Sequence, residues 1–250
     1  MIPIRDRLPT RVVPFVNYGL VALNILIFLW QWSLPTSADA AAATAWGFVP
    51  VRFLRDPGGE LITVFSSMFL HGGWLHIGGN MLFLWVFGDN VEDALGHARF
   101  VMFYLMGGLL AAFGQLLVDP SSTVPMVGAS GAIAAVLAAY VSLYPRARVL
   151  VLVPIFILFM FFEFPAWLVV LGWFALQVLR GFGSLAGGLG TDVAWFAHIG
   201  GFLGGLVLVR FGMIGRQRLD YERWHGWRAP PQQQYLRTPY RRPPPDRWMR

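Results

Sequence analysis

The chain has 250 residues, of which 56% are hydrophobic and 13% charged, and its net charge is +6. A soluble domain contains about 25% charged residues, so this composition favours a membrane protein. Because cysteine is absent, disulfides, thiolate catalysis and cysteine-based zinc sites are excluded.

Six apolar runs predict an all-α membrane helix bundle with six transmembrane helices, since about 20 apolar residues cross a bilayer. The segment 149–163 is also apolar, but Pro154 interrupts it. Five or seven spans are therefore alternative interpretations, and 149–163 either spans the membrane or packs as a loop. The six runs are 15–34, 74–89 with an apolar approach from 61, 99–118, 126–144, 164–181 and 192–213.

The first run follows basic residues and precedes Ala38-Asp39-Ala40, a pattern that resembles a signal peptide and its cleavage site. However, the run is long for such a leader. Asn17 and Asn24 are also more typical of a helix that packs against protein. We therefore interpret this run as the first membrane span.

Arginine supplies all 19 basic residues, and its distribution predicts the orientation. A cytoplasmic N-terminus leaves only Arg52, Arg55 and Arg180 outside, and an even number of spans then places the C-terminus in the cytoplasm too. Ten arginines lie in the last 41 residues, which argues against a nucleic-acid-binding surface. We predict a membrane domain over 1–213 and, over 214–250, a basic and mostly disordered tail attracted to anionic lipid headgroups.

Four polar side chains stand out within the apolar runs: His76, Asn80, Ser130 and His198. Polar groups are costly in membrane helices and usually face protein or a water-filled cavity. In the predicted orientation they lie on the second, fourth and sixth spans, a few to about 10 Å below the outer helix ends at about 1.5 Å per residue. We therefore predict that they form one site.

The residue types in this site are those of nucleophilic catalysis. Ser130 would begin a helix whose free N–H groups favour negative charge, and His198 could take its proton before attack on a peptide carbonyl. No acid is placed to complete a triad, so packing or a backbone carbonyl would orient the ring. His76 and Asn80, at i and i+4, would stabilise the oxyanion together with the main-chain N–H groups of Ser130 and Gly128.

Small residues predict close helix contacts around this site, because they let membrane helices approach each other. His198 shares a helix face with Gly201 and Gly205. Ser130 shares one with Ala134 and Ala138. These two faces are expected to meet and bring the hydroxyl within reach of the imidazole.

Structural and other chemical roles are alternatives. Ser130 could bond a carbonyl of its own helix, and His198 or Asn80 could simply bridge helices. Metal binding by His71, His76 and His198 is a weaker hypothesis, because the first two are five positions apart and no HExxH motif is present. A transporter would be expected to show repeated halves and broken helices, which the sequence does not have.

Three motifs resemble those of the rhomboid family of intramembrane serine proteases. Gly128-Ala129-Ser130-Gly131 is similar to its GxSG motif, Ala197-His198-Ile199-Gly200-Gly201 to its histidine motif, and His76-Ile77-Gly78-Gly79-Asn80 to its HxxxN motif. The segment Gly88 to Gly96, centred on Glu92, resembles the GxxxExxxG pattern of the family. The similarity to the family as a whole covers residues from about 12 to 213. Ala134 differs from the aromatic residue of many members.

The resemblance implies a six-helix protease of the prokaryotic type that cleaves membrane proteins in or beside their transmembrane segments. Ser130 would be the nucleophile, His198 the base, and His76 and Asn80 the oxyanion stabilisers, without metal or cofactor. Glu92 would be structural and bond the loop in which it lies. The expected partners are transmembrane protein substrates and the lipid bilayer. The expected location is a bacterial inner membrane.

Two further hypotheses follow from this resemblance. A rhomboid-like protein that binds membrane clients without cutting them is the alternative function, although such proteins usually lack the serine or the histidine, and both are present here. Substrates would reach the site from the lipid or the outer loops. The fifth span, with Trp167 and Trp173, is the expected gate.

Overall fold

The computed structural model describes residues 2–155, 158–185 and 193–215, which form a helical bundle with a small sheet. The basic tail predicted over 214–250 lies almost entirely outside the described residues. The elements are β1 (Ile2–Asp6), α1 (Phe15–Ser33), α2 (Thr36–Trp46), α3 (Pro50–Arg55), α4 (Pro57–Ser66), a 3-10 turn (Ser67–Phe69), α5 (Trp74–Leu95), α6 (His97–Val118), α7 (Ser130–Leu143), β2 (Arg148–Ile155), β3 (Leu158–Pro165), α8 (Ala166–Leu185) and α9 (Trp195–Gly212).

A helix occupies each of the six predicted runs. Four of these helices, α1, α6, α8 and α9, are long and apolar enough to cross a membrane. Helix α7 is apolar but has only 14 residues, and α5 carries three acidic residues in its last turns. A multi-pass helical membrane protein is therefore the fold class, while the count of six spans and the cytoplasmic termini stay predictions.

The prediction of an all-α chain is wrong for three segments. Strands β1, β2 and β3 form an antiparallel sheet in that order. Within the apolar segment 149–163, residues 149–155 and 158–163 therefore belong to strands instead of to a span or a loop. Valine and phenylalanine favour strands. Pro154 lies beyond Leu152, the last β2 residue paired with β1, so its missing N–H interrupts no bond to that strand.

Side chains of β1 and of the residue after it make one contact to a helix and one contact within the sheet region. The Tyr140 hydroxyl of α7 donates a hydrogen bond to the Asp6 carboxylate, and Arg7 forms an ion pair with Glu163 of β3. Val149 and Val151 of β2 are fully buried. The sheet therefore ties the start of the chain to the C-terminal half of α7 and to the segment between α7 and α8.

Helix α7 is the centre of the bundle, since every residue from Gly131 to Tyr140 is buried. A methyl group on Gly201 of α9 would lie 2.1 Å from the Gly131 carbonyl oxygen, and one on Gly205 would lie 2.5 Å from that of Ala135. The small face predicted for α9 is confirmed. On α7 the contacting residues are Gly131 and Ala135, one position after the predicted Ser130 and Ala134. The prediction missed this because α7 has small residues on several of its faces, so residue spacing alone does not select the face that meets α9.

Glu92 makes structural contacts, but it lies within α5 and not in the predicted loop. Its fully buried carboxylate accepts hydrogen bonds from the main-chain N–H of Val16 at 3.1 Å and of Asn17 at 2.7 Å. One carboxylate oxygen also lies 2.5 Å from His97 Nδ1. Glu92 therefore joins the start of α1 to the end of α5 and the start of α6.

We expect Glu92→Ala to lower the free energy of unfolding by about 3 kcal/mol, because two buried N–H groups lose their acceptor. Thermal unfolding in detergent measures the change. Glu60→Ala is the matched control, since it removes the partly exposed ion pair with Arg52 and should cost less than about 1 kcal/mol. Equal losses in the two variants would contradict the role assigned to Glu92.

Candidate active site

Ser130 and His198 lie within hydrogen-bonding distance. Ser130 is the first residue of α7, and its Oγ is 2.7 Å from Nε2 of His198 in α9. The two residues are 68 positions apart in the chain, and the close approach of α7 and α9 at Gly131 and Gly201 brings them together. At this distance the hydroxyl can donate to the imidazole nitrogen.

The second ring nitrogen of His198 contacts an amide that sequence reasoning missed. Nδ1 is 2.9 Å from Oε1 of Gln177 in α8, and Gln177 is only 7% exposed. The sequence predicts packing or a backbone carbonyl at this position, and the structure has a side-chain amide there instead. Gln177 itself could have been selected from the sequence, because it is a strongly polar side chain within an apolar helix. Asn80 was selected by the same rule.

Two tryptophans lie beside the His198 ring. The ring centroid of Trp173 in α8 is 5.8 Å away, and that of Trp195 at the start of α9 is 6.0 Å away in an edge orientation. Ala134, four positions after the serine, is fully buried. Aromatic packing on the imidazole therefore comes from α8 and α9 instead of α7.

His76 and Asn80 meet at Gly128, two residues before Ser130. A methyl group on Gly128 would lie 2.7 Å from Cε1 and Nε2 of His76 and 3.6 Å from Nδ2 of Asn80. The φ of Gly128 is +125°, which few other residues adopt. A glycine is thus required both for the backbone conformation and for the space that the imidazole occupies.

The main-chain N–H of Gly128 is already engaged, because it donates to the Ser67 carbonyl at 2.8 Å. The predicted oxyanion donor at Gly128 is therefore not supported by this arrangement. What Gly128 provides is room beside His76 and Asn80.

Asn80 and His76 each present an N–H group next to Gly128. Asn80 Nδ2 is buried and has no hydrogen-bond partner within the part of the chain that the structure describes. His76 Nδ1 accepts a long hydrogen bond from the Gly72 N–H at 3.4 Å, which leaves the proton of a neutral ring on Nε2. An unpaired buried donor such as Asn80 Nδ2 is unfavourable, so the space beside Gly128 is suited to a hydrogen-bond acceptor of a bound molecule.

His71 lies at the edge of the site without reaching the serine. Its ring centroid is 5.1 Å from that of His76, and burial together with His76 lowers the pKa of His71 to about 4. His71 is therefore neutral at physiological pH. Among residues 2–155, 158–185 and 193–215, no three His, Cys, Asp or Glu side chains are grouped as metal ligands.

Neither ring nitrogen of His198 contacts an acidic side chain among the described residues. Both nitrogens have neutral partners, Ser130 and Gln177. Asp119 caps the C-terminal end of α6 and contacts Ser121, and Asp192 lies outside the described residues. The structure brings Ser130 to His198, and His76 and Asn80 to Gly128, while the catalytic roles of these residues stay predictions.

Comparisons with known proteins place these residues within a known domain. A family model described as "Rhomboid domain" matches residues 58–214, which include all four polar residues of the site. Rhomboid protein 1, mitochondrial, of Saccharomyces cerevisiae is 32% identical over 143 residues, which are 54% of this chain and 38% of that protein.

Two other relatives align over most of the chain. The human presenilin-associated rhomboid-like protein, mitochondrial, is 28% identical over 214 residues, 83% of this chain and 52% of that protein. Rhomboid protease GluP of Bacillus subtilis is 28% identical over 215 residues, 83% of this chain and 38% of that protein. The chain thus spans about half or less of these relatives. Because two of them are named mitochondrial, a bacterial inner membrane is not supported and stays a prediction.

Proposed function

We propose that this chain, which belongs to the rhomboid family, is a serine endopeptidase that hydrolyses peptide bonds in or near the transmembrane segments of other membrane proteins. The observation that carries the proposal is the 2.7 Å contact between Ser130 Oγ and His198 Nε2. The name of the Bacillus relative, a rhomboid protease, supports the same reaction class.

The proposed reaction has two halves. His198 Nε2 takes the Ser130 proton as Oγ attacks the substrate carbonyl carbon, and the imidazolium then protonates the leaving amine as the peptide C–N bond breaks. Water, deprotonated by the same nitrogen, next attacks the acyl-enzyme ester. The carboxylic acid product leaves, and the proton returns to Ser130 Oγ.

Oxyanion stabilisation is assigned to His76, Asn80 and the main-chain N–H of Ser130. His76 Nε2 and Asn80 Nδ2 border the space beside Gly128, close to the start of α7. The N-terminus of a helix favours developing negative charge. Donors that are fixed before the reaction stabilise such charge without reorganisation, and the unpaired Nδ2 of Asn80 supports this assignment.

The orientation proposed for the protein has both termini in the cytoplasm and the site near the outer surface. The excess of arginine on the proposed cytoplasmic side supports it. Arg99, at the start of α6, donates to the carbonyls of Gly212, the last residue of α9, and of Ile214 just beyond it, so two proposed cytoplasmic helix ends meet. Transmembrane proteins and the bilayer are the proposed partners.

Substrate access is proposed between α5 and α8. Phe83 of α5 and Trp173 of α8 pack with ring centroids 6.3 Å apart, and Trp173 also lies beside His198. A substrate segment that passes between these helices would arrive directly at the Ser130 hydroxyl. Trp167, in the first turn of α8, is 47% exposed and is less suited to this role.

Tethering α5 to α8 should reduce cleavage at least tenfold. Because the chain has no cysteine, Phe83→Cys with Trp173→Cys can be joined by a short thiol-reactive crosslinker that a reductant releases. Cleavage of a transmembrane reporter in liposomes is measured in the tethered and released states of the same protein, and we expect release to restore the rate.

The matched control tethers α8 to its other neighbour. Phe174 and Phe202 of α9 have ring centroids 4.2 Å apart, and a crosslink between cysteines at these positions should leave the rate within about twofold. Full activity of the α5–α8 tether would overturn the proposed access route.

The test of the function itself uses the purified wild-type protein in liposomes. We expect it to cleave a transmembrane reporter and to react with a fluorophosphonate probe on the peptide that contains Ser130, as located by mass spectrometry. A folded protein that binds the reporter but neither cuts it nor reacts with the probe would favour the client-binding alternative.

A further inference from the structure

We propose that Gln177 is a positioning residue that holds His198 in the tautomer with its proton on Nδ1, so that Nε2 can accept the Ser130 proton. The catalytic consequence rests on the proposed function. The tautomer itself is a property of the resting protein and can be measured separately.

The orientation of the Gln177 amide follows from its two contacts. Its Nε2 donates to the Trp173 carbonyl oxygen at 3.4 Å, one turn earlier in α8, and its Oε1 lies 2.9 Å from His198 Nδ1. The reversed amide would place Oε1 against the Trp173 carbonyl, where two acceptors would face each other. The backbone of α8 therefore directs the amide oxygen toward the imidazole.

The amide oxygen in turn determines the tautomer. Oε1 can only accept a hydrogen bond, so Nδ1 of His198 must be the donor. A neutral imidazole carries one N–H, which leaves the lone pair on Nε2, 2.7 Å from Ser130 Oγ. The other tautomer would direct an N–H at the hydroxyl and could not take its proton.

These hydrogen bonds form one directed chain. Ser130 donates to His198, His198 donates to Gln177, and Gln177 donates to the Trp173 carbonyl. Successive hydrogen bonds with the same direction strengthen one another in a medium of low dielectric constant. With Gln177 only 7% exposed, little water is available to replace its contact with Nδ1.

An amide is suited to this position because it orients the ring without adding a charge. A carboxylate in an apolar membrane helix is costly, whereas an amide supplies the same acceptor atom as a neutral group. Gln177 thereby accounts for the orientation of His198 without the acid that the sequence lacks at this site.

The tautomer is measured by nuclear magnetic resonance of the full-length protein with ¹⁵N-labelled histidine in detergent. The chain has five histidines, and His198 is assigned by its loss in a His198→Asn sample. We expect proton–nitrogen correlations of wild-type His198 that report a proton on Nδ1 and, in Gln177→Leu, a mixture of tautomers. A wild-type proton on Nε2, or an unchanged tautomer in Gln177→Leu, would overturn the proposal.

Kinetics supply the second measurement. Gln177→Leu should lower kcat about 10- to 100-fold with KM changed less than about twofold, because the base is in the wrong form for part of the time while substrate binding is intact. Gln177→Glu should recover most of this loss, because a carboxyl oxygen can again accept from Nδ1. A purely structural role would instead make the two substitutions similarly harmful.

Gln115→Leu is the matched control, since this α6 amide has a buried Oε1 without a partner among the described residues. It should change neither the His198 tautomer nor kcat. If the wild type does not cleave at all, the proposed function fails, while the resonance measurement still decides the role of Gln177. If the wild type cleaves and Gln177→Leu equals it in tautomer and rate, only the inference about Gln177 fails.

Discussion

Cleavage of a transmembrane reporter should fall by about 10⁴-fold or more when Ser130 is replaced with alanine. The substitution removes the oxygen proposed to attack the carbonyl, and it is expected to leave α7 and its packing unchanged. The measurement is single-turnover cleavage in liposomes, with protein folding checked by thermal unfolding.

A serine on the same helix provides the matched control. Ser142 Oγ donates to the Ala138 carbonyl at 2.7 Å, the structural role that any membrane serine can have. Ser142→Ala should therefore retain the wild-type rate within about twofold. Equal rates for Ser130→Ala and the wild type would leave Ser130 with a packing role.

His198→Ala should cause a loss of similar size, because an unassisted serine hydroxyl is a weak nucleophile. The rate of the double variant distinguishes two residues that act as one catalytic unit from two residues that act independently. Residues that act as one unit lose little more when both are removed, so Ser130→Ala with His198→Ala should be no slower than the slower single variant. Losses that multiply would contradict a dyad.

The helical part of the fold could be predicted because its signal is long and continuous. A helix occupies each predicted run, and α1 begins at Phe15 and ends at Ser33, close to the predicted 15–34. The interpretation of Asn17 and Asn24 as packing residues is confirmed, since both are fully buried. Runs of about 20 apolar residues have few alternatives in a membrane.

The hairpin of β2 and β3 could not be predicted in the same way. A short apolar segment is compatible with a buried helix, a strand or a partial span, and periodicity does not separate them. One of the two partners of β2 is also remote, because Ile2 and Pro3 of β1 pair with Leu152 and Val151 about 150 residues later. Only the fold brings these strands together.

The candidate site also has residues that could be predicted from the sequence and contacts that could not. Ser130, His198, His76 and Asn80 are visible in the sequence as isolated polar groups in apolar helices. The contact between Gln177 and His198 depends on how α8 rotates against α9, and the engagement of the Gly128 N–H depends on the 3-10 turn at Ser67. Gln177 itself is visible in the sequence as a polar residue in an apolar helix, but neither contact could be predicted, because the separation of its two residues in the chain says nothing about their geometry.

Asn80 is expected to show opposite effects on activity and on stability. Asn80→Ala should lower kcat about 10²- to 10³-fold, the usual loss for one oxyanion donor, with little change in KM. The melting temperature should stay constant or rise, because Asn80 Nδ2 has no partner among the described residues and removing an unpaired buried donor relieves an unfavourable burial.

Asn90→Ala on the same helix is the comparison that distinguishes these roles. Asn90 is also buried, but its Nδ2 donates to the Leu8 carbonyl at 3.4 Å, so its loss should lower the melting temperature and leave kcat within about twofold. The two asparagines share helix α5, residue type and burial, and they differ in whether the protein itself uses the donor. If Asn80→Ala is less stable than the wild type and equally active, Asn80 joins helices, and the donors for the oxyanion must be sought in His76 and the Ser130 N–H alone.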